Sequence, residues 1–96
     1  MSETVLIVTS KLRPGASREL FLELSAQTKM WLHRQSGFLR YELFEGEGSW
    51  TDTMVWASAE AAEASRAAFG RTDIASAFSQ LVEPDYRVFS GKAVQL

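Results

Sequence analysis

The sequence predicts an α+β sandwich of βαββαβ order, with helices covering one face of a four-stranded antiparallel sheet. Three observations predict it. β-branched or alternating segments recur along the chain, amphipathic segments separate them, and Gly, Pro or Ser marks the boundaries. Because 96 residues support one hydrophobic core, we expect a single domain over residues 1–96.

The first strand and helix follow from the amino-terminal third. Residues 4–12, TVLIVTSKL, are β-branched and stop before the turn residues Pro14 and Gly15. Ser17 is a suitable N-cap for a helix that we expect to run to about Gln35, with Gly37 able to adopt a left-handed conformation beyond it. One face of this helix collects the residues Leu20, Phe21, Leu24, Thr28, Trp31 and Leu32.

The centre of the chain predicts a hairpin. Residues 38–45 alternate apolar with charged side chains, and the loop GEGS at 46–49 supplies glycines for positive φ. Residues 50–57 form the partner strand and place on one face Trp50, Asp52, Met54 and Trp56.

Two further helices and a strand complete the chain. Ser58 is the predicted N-cap of the second helix, which ends at Gly70. A short third helix begins at Thr72 and is broken by the Glu-Pro-Asp sequence at 83–85. Residues 86–94 are predicted as the last strand.

The first strand is apolar on both faces, and this predicts a homodimer. Val5 and Ile7 point one way, Leu6 and Val8 the other. Helices can cover only one of these faces, and a bare apolar face is unusual in a monomer. We therefore expect two sheets to pack face to face; the alternative is a monomer with Val5 and Ile7 moderately exposed.

Composition excludes several classes of function. The chain has no cysteine, so thiolate chemistry, disulfides and cysteine-ligated metals are excluded. Its net charge is −2 with no cluster of Lys and Arg, which argues against nucleic-acid binding. The order βαββαβ also occurs in RNA-recognition domains, but the third strand here, WTDTMVWAS, has no basic residue. We expect no membrane segment and no signal peptide, and a cytoplasmic location.

Three motifs carry a resemblance to a known family. They are Pro14-Gly15 before the first helix, GFLRYEL at 37–43, and a Trp56-x-Ser58-x-Glu60-Ala61 step. Together they resemble the antibiotic-biosynthesis-monooxygenase (ABM) domain, over nearly the whole chain. The resemblance implies a ferredoxin-like protomer of the dimeric α/β-barrel superfamily with a pocket between its sheet and helices.

The resemblance implies several possible activities. Some members oxygenate phenols, anthrones or quinols without metal or flavin, because the deprotonated substrate itself reduces oxygen. We therefore expect a monooxygenase that acts, without a cofactor, on a small electron-rich aromatic or quinol-like compound. The alternative is a non-catalytic homodimer that binds a small hydrophobic ligand.

Haem-degrading relatives carry three residues that this chain lacks. Their strand Asn, haem-crowding Trp and axial His align near Ser10, Ser65 and Ser79. The His-bearing segment of quinol oxygenases is also replaced, by GRTDIASAF. The single histidine, His33, is expected on the solvated face of the first helix. The sequence therefore predicts neither a haem nor a metal site.

Three other residues are weak catalytic candidates. Tyr41 could polarise a phenol and Arg40 could hold an enolate, or Tyr41 could lie in the dimer core beside an Arg40–Glu42 charge pair. Asp52 could be a buried base, or it could be solvated near the end of the hairpin.

A pocket is better supported by the apolar residues. The aromatic side chains could enclose a flat ligand or simply fill the core, and the small serines leave room between them. The predicted lining comprises Ser10, Trp31, Trp56, Ser65, Phe69, Phe78 and Ser79.

Overall fold

A computed structural model describes residues 2–96 of the chain, so Met1, the first residue of the predicted domain, lies outside the described residues. The predicted βαββαβ order is confirmed, with a third helix before the last strand. The elements are β1 (Thr4–Ser10), α1 (Arg18–Leu32), β2 (Phe38–Glu45), β3 (Trp50–Trp56), α2 (Ala59–Phe69), α3 (Asp73–Leu81) and β4 (Arg87–Lys92).

The four strands form one antiparallel sheet in the order β2-β3-β1-β4. This is the ferredoxin-like arrangement, in which the two central strands are joined to the edges by hairpin and crossover connections. β1 ends at Ser10, two residues earlier than predicted. Leu12 instead forms an isolated bridge with Val82, so the chain after β1 is tied to the end of α3.

Side-chain caps fix the starts of the helices, as the sequence predicts. The hydroxyl of Ser17 accepts a hydrogen bond from the amide of Leu20 at 3.1 Å. The hydroxyl of Ser58 accepts one from the amide of Ala61 at 3.2 Å. Each cap satisfies an otherwise unpaired backbone donor, which is typically worth about 1 kcal/mol.

Gly37 brings the turn before β2 against helix α2. Its φ is +77°, and a Cβ at this position would lie 2.8 Å from the Cβ of Ala61. The Gly37 carbonyl also accepts a 2.7 Å hydrogen bond from the amide of Ala57. α1 ends at Leu32, before the predicted Gln35, and turns connect it to this glycine.

The core lies between the sheet and the helices in two clusters. One contains Leu6, Leu32, Met54, Trp56 and Ala62. The other contains Phe21, Leu24, Trp50 and Leu81. Both draw their strand residues from one face of the sheet, which we call the inner face. Leu20, predicted on the apolar side of α1, is 42% exposed.

The opposite, outer face of the sheet carries apolar side chains that no helix covers. Strand register places Val5 and Ile7 there, and the protomer leaves them half-buried. Phe89, opposite Ile7, is 60% exposed, and Phe44 is 50% exposed. Among residues 2–96, no helix has the length and apolar character required to cross a membrane.

Candidate active site

A cavity of about 330 Å³ lies between the inner face of the sheet and helices α1, α2 and α3. Its volume is at the small end of the range usual for ligand pockets. Its floor is apolar, with Leu6 and Val8 from β1 and Met54 from β3. Six of the seven residues that the sequence singles out for a pocket border it: Ser10, Trp56, Ser65, Phe69, Phe78 and Ser79.

Trp31 is the seventh, and the structure does not place it on the cavity wall. Its ring packs edge-on against Phe69, with the centroids 5.3 Å apart. Because Phe69 borders the cavity, Trp31 supports the wall from behind. Thr28 and Leu32, four residues apart on one side of α1, border the space instead, so Trp31 points away from it around the helix axis.

Trp56 and Ser65 join β3 to α2. Trp56 is only 1% exposed, and its indole Nε1 donates a hydrogen bond to the Ser65 hydroxyl at 3.1 Å. The sequence suggests that Ser65 leaves space in the pocket. In the structure Ser65 also satisfies the one polar atom of the most deeply buried side chain, which is the usual requirement for a buried indole.

Asp52 and Tyr41 form a hydrogen-bonded pair at the cavity. Asp52 is half-buried and borders the space, and the Tyr41 hydroxyl donates to its Oδ2 at 3.3 Å. The pair forms because Asp52 lies opposite Leu43 and Tyr41 lies opposite Met54, which puts their side chains diagonally across adjacent strands on the inner face.

Burial changes the acidity of both groups. It raises the pKa of Asp52 to about 6, although the hydrogen bond from Tyr41 works in the opposite direction. It also raises the pKa of Tyr41 above its ordinary value, and the negative charge of Asp52 adds to this rise. At neutral pH the pair is therefore a carboxylate held by a neutral phenol, a state suited to accepting a proton.

These positions correct two interpretations of the sequence. Tyr41 does not lie on the outer face that a dimer would cover, because it packs against the Leu6–Trp56 core. Asp52 is not simply solvated, because it is half-buried on the inner face, on the same side of β3 as the buried Trp50 and Met54. The alternation of β2 separates the two faces, but only pairing with β3 decides which face turns inward.

Arg40 lies on the outer face, away from the cavity. It is paired with Val55 in the sheet and forms an ion pair with Glu3 at 3.1 Å. The predicted charge pair with Glu42 is therefore wrong. With its side chain 56% exposed, Arg40 does not share a site with Tyr41 and Asp52.

The remaining titratable residues of the described part of the chain do not assemble a metal centre. His33 is exposed, as the sequence predicts, and its ring rests edge-on against Phe38 at 5.2 Å. Within residues 2–96, no three side chains of His, Cys, Asp or Glu are grouped so that they could hold a metal ion.

Two residues that the sequence does not single out, Arg66 and Tyr86, also border the cavity. Both are exposed, so they lie at its rim. Arg66 follows Ser65 directly and precedes Phe69 by three residues on α2, a spacing that could have indicated a shared face. Tyr86 is predicted as the first residue of the last strand, but β4 begins at Arg87, so Tyr86 lies in the α3–β4 connection.

Comparisons with known proteins agree with this architecture. The family model described as "Antibiotic biosynthesis monooxygenase" matches residues 4–83. Among solved structures, SnoaB, a cofactor-independent oxygenase from Streptomyces nogalater, is 21% identical with a TM-score of 0.86, covering 100% of this chain and 97% of that chain. Rv0793 from Mycobacterium tuberculosis is 18% identical with a TM-score of 0.83, covering 99% and 98%.

A third similar structure is NE2512 from Nitrosomonas europaea, a protein of unknown function. It is 17% identical with a TM-score of 0.72, covering 100% of this chain and 95% of that chain. No curated protein sequence matches the chain. At these identities the structural likeness establishes the fold, and an activity has to be argued from the site itself.

Proposed function

Because the chain belongs to the antibiotic biosynthesis monooxygenase family, we propose that it is a cofactor-independent monooxygenase of a small electron-rich aromatic or quinol-like compound. The observation that carries the proposal is Asp52, a carboxylate of raised pKa that borders an otherwise largely apolar cavity. The cavity lies in a fold that SnoaB, a cofactor-independent oxygenase, shares.

Asp52 is the base in this proposal, since the single histidine, His33, does not border the cavity. It removes a proton from the phenol or enol of the substrate, and the resulting anion transfers an electron to O₂. The two radicals combine to form a carbon–oxygen bond. Loss of water from the peroxide leaves one oxygen atom in the product as a carbonyl. The substrate supplies all the electrons, so SH₂ and O₂ give S=O and H₂O.

Tyr41 acts as a positioning residue in this scheme. Its hydroxyl holds one carboxylate oxygen of Asp52, and its own raised pKa keeps it protonated throughout. The apolar floor of Leu6 and Met54 keeps water from the substrate anion. Exclusion of water favours electron transfer to O₂ over reprotonation of the anion by solvent.

Oxygen uptake with a panel of anthrones, hydroquinones and catechols tests the proposal. Asp52→Asn should lower kcat/KM by about 10²–10⁴-fold, the usual contribution of a general base. Activity of the wild-type protein should rise with pH through about 6 and then level off, as the Asp52 carboxyl ionises. Glu47→Gln, in the exposed hairpin loop, is the matched control and should retain full activity. Absence of turnover above buffer on every compound would count against an oxygenase.

We also propose that two protomers associate through the outer face of the sheet. Support comes from the half-buried Val5 and Ile7 and from Phe89, which is 60% exposed on the same face. Light scattering after size exclusion should report a dimer, and Phe89→Asp should shift it toward monomer. A clean wild-type monomer at micromolar concentration would contradict this arrangement.

A non-catalytic ligand-binding protein is the second candidate, because the cavity needs no base to hold an apolar molecule. It predicts that native mass spectrometry detects a bound aromatic compound while no compound of the panel is oxidised. Under this function, Asp52→Asn would leave ligand retention unchanged or improve it, since a buried charge is removed.

A further inference from the structure

Arg66 is a cation at the rim of the cavity with no ionic partner among the described residues. It borders the space from the last turn of α2 and is exposed. Among residues 2–96, its guanidinium forms neither an ion pair nor a side-chain hydrogen bond. By contrast, Arg18 forms an ion pair with Glu45 at 2.7 Å, and Arg40 forms one with Glu3.

A basic residue in the last turn of a helix is often explained by the helix dipole. That explanation accounts for the position of Arg66 along α2, but not for its place beside the cavity. The position around the helix axis is set by Ser65, which turns inward to accept the indole hydrogen bond of Trp56. Arg66 is the next residue and therefore lies where the wall meets solvent.

Among the described residues that line the cavity, two are charged: Asp52 on β3 and Arg66 on α2. Asp52 is four residues before Trp56 on the same strand face, which is about 13 Å along a strand. Arg66 follows Ser65 on α2, so the two charges reach the cavity from a strand and from a helix. The rest of the lining includes apolar Met54 and Leu6.

From this arrangement we propose that the cavity binds an aromatic phenol that also carries a carboxylate, set apart from its hydroxyl. The hydroxyl faces Asp52, the ring system lies on the apolar floor, and the carboxylate pairs with Arg66 at the rim. Arg66 is thus a specificity residue that selects acidic ligands. Only the ligand's role as a substrate rests on the proposed oxygenase function; its recognition rests on the cavity.

A matched pair of compounds tests the inference without requiring turnover. 6-Hydroxy-2-naphthoic acid and 2-naphthol share a ring system and a hydroxyl, and only the acid carries a distal carboxylate. Calorimetric titration of the wild-type protein should show the acid binding about tenfold more tightly, the scale of a charge-assisted hydrogen bond in a partly exposed site. Higher salt should reduce this preference.

Variants then assign the preference to Arg66. Arg66→Gln should abolish this preference. The affinity for the acid should fall about tenfold, and the affinity for 2-naphthol should stay within about twofold of the wild-type value. Arg66→Lys should keep part of the preference, because the charge stays but the planar fork is lost. Arg71→Gln, an exposed arginine outside the cavity lining, is the control and should behave as the wild type.

Three results would overturn the inference. They are equal affinity of the wild-type protein for the two compounds, an equal loss of affinity for both compounds in Arg66→Gln, and a loss of affinity for the acid in Arg71→Gln as large as in Arg66→Gln. Its failure is distinguishable from failure of the proposed function. Arg66-dependent binding without oxygen uptake would retain this inference and reject the oxygenase. If Asp52→Asn abolishes oxygen uptake and the protein shows no preference for the acid, the oxygenase is retained and this inference is rejected.

Discussion

The two faces of the sheet differ in what covers them and in what they carry. The inner face packs under three helices and contains Trp56, only 1% exposed, beside the cavity with its ionisable Asp52. The outer face has no helix over it and leaves Phe89 60% exposed. Both faces come from the same strands, since successive side chains point in opposite directions.

The difference shows how one small sheet can separate two tasks. Residues that need exclusion of water, such as Asp52 and Tyr41, face the helices, where burial shifts their pKa values. Residues suited to association, such as Ile7 and Phe89, face away. A slip of one residue in register would exchange the two sets, so strand pairing is the step on which both depend.

The largest difference should appear on truncation of one aromatic residue on each face. Trp56→Ala should lower the free energy of unfolding by about 3–5 kcal/mol, because it leaves a cavity and an unpaired Ser65 hydroxyl. Phe89→Ala should cost much less per protomer, and its cost should depend on protein concentration if the outer face is covered only in a dimer. Urea unfolding at several concentrations measures both. Equal losses in the two variants would contradict the distinction between the faces.

The next effect concerns the pH dependence of stability. The Asp52 carboxyl has a pKa of about 6 in the folded chain, against an ordinary value of 3.8. Its protonated form therefore favours folding, and that stability is complete below about pH 4 and is lost as pH rises through about 6.

Between pH 4 and pH 7 this group should lower the free energy of unfolding by on the order of 2–3 kcal/mol. Asp52→Asn should remove that part of the decline, whereas Glu47→Gln, in the exposed loop, should keep it. Urea titrations at both pH values give the comparison. A decline of unchanged size in Asp52→Asn would show that Asp52 is not the responsible group.

The smallest effect compares two glycines with similarly close neighbours. A Cβ at Gly37 would lie 2.8 Å from Ala61 Cβ, and at Gly91 it would lie 2.9 Å from Cζ of Phe89. Gly37→Ala should cost about 1–2 kcal/mol, because its φ is +77° and α2 cannot move aside. Gly91→Ala should cost less than about 0.5 kcal/mol, since the exposed Phe89 ring can rotate away. Thermal denaturation distinguishes them, and a larger loss at Gly91 would reverse the expectation.

Much of the fold could be predicted from local sequence. The N-caps Ser17 and Ser58 and the loop glycines of the hairpin act within a few residues, so their effect is visible in the sequence. The errors concern contacts between distant segments. Leu12 forms a bridge with Val82, which ends β1 early, and Trp31 faces Phe69 instead of the cavity.

The candidate site was predicted less completely for the same reason. The six lining residues that meet at the cavity come from β1, β3, α2 and α3. The aromatic ones are indicated by apolar patterns, whereas Ser10, Ser65 and Ser79 are indicated by the resemblance to haem-degrading relatives. No local pattern indicated that Tyr41 would donate to Asp52, because they belong to different strands and the contact depends on register. Arg66 was missed because an exposed basic residue on a helix usually faces solvent alone.

The sequence by itself determined the order of strands and helices, their caps and turns, and the absence of any cysteine. These properties depend on residue type and near-neighbour spacing. Only the tertiary structure decided that Asp52 and Tyr41 share a wall, that Arg40 lies on the other face and that Arg66 reaches the rim. Burial and charge pairing are properties of neighbours in space, and packing of the helices on the sheet is what makes those residues neighbours.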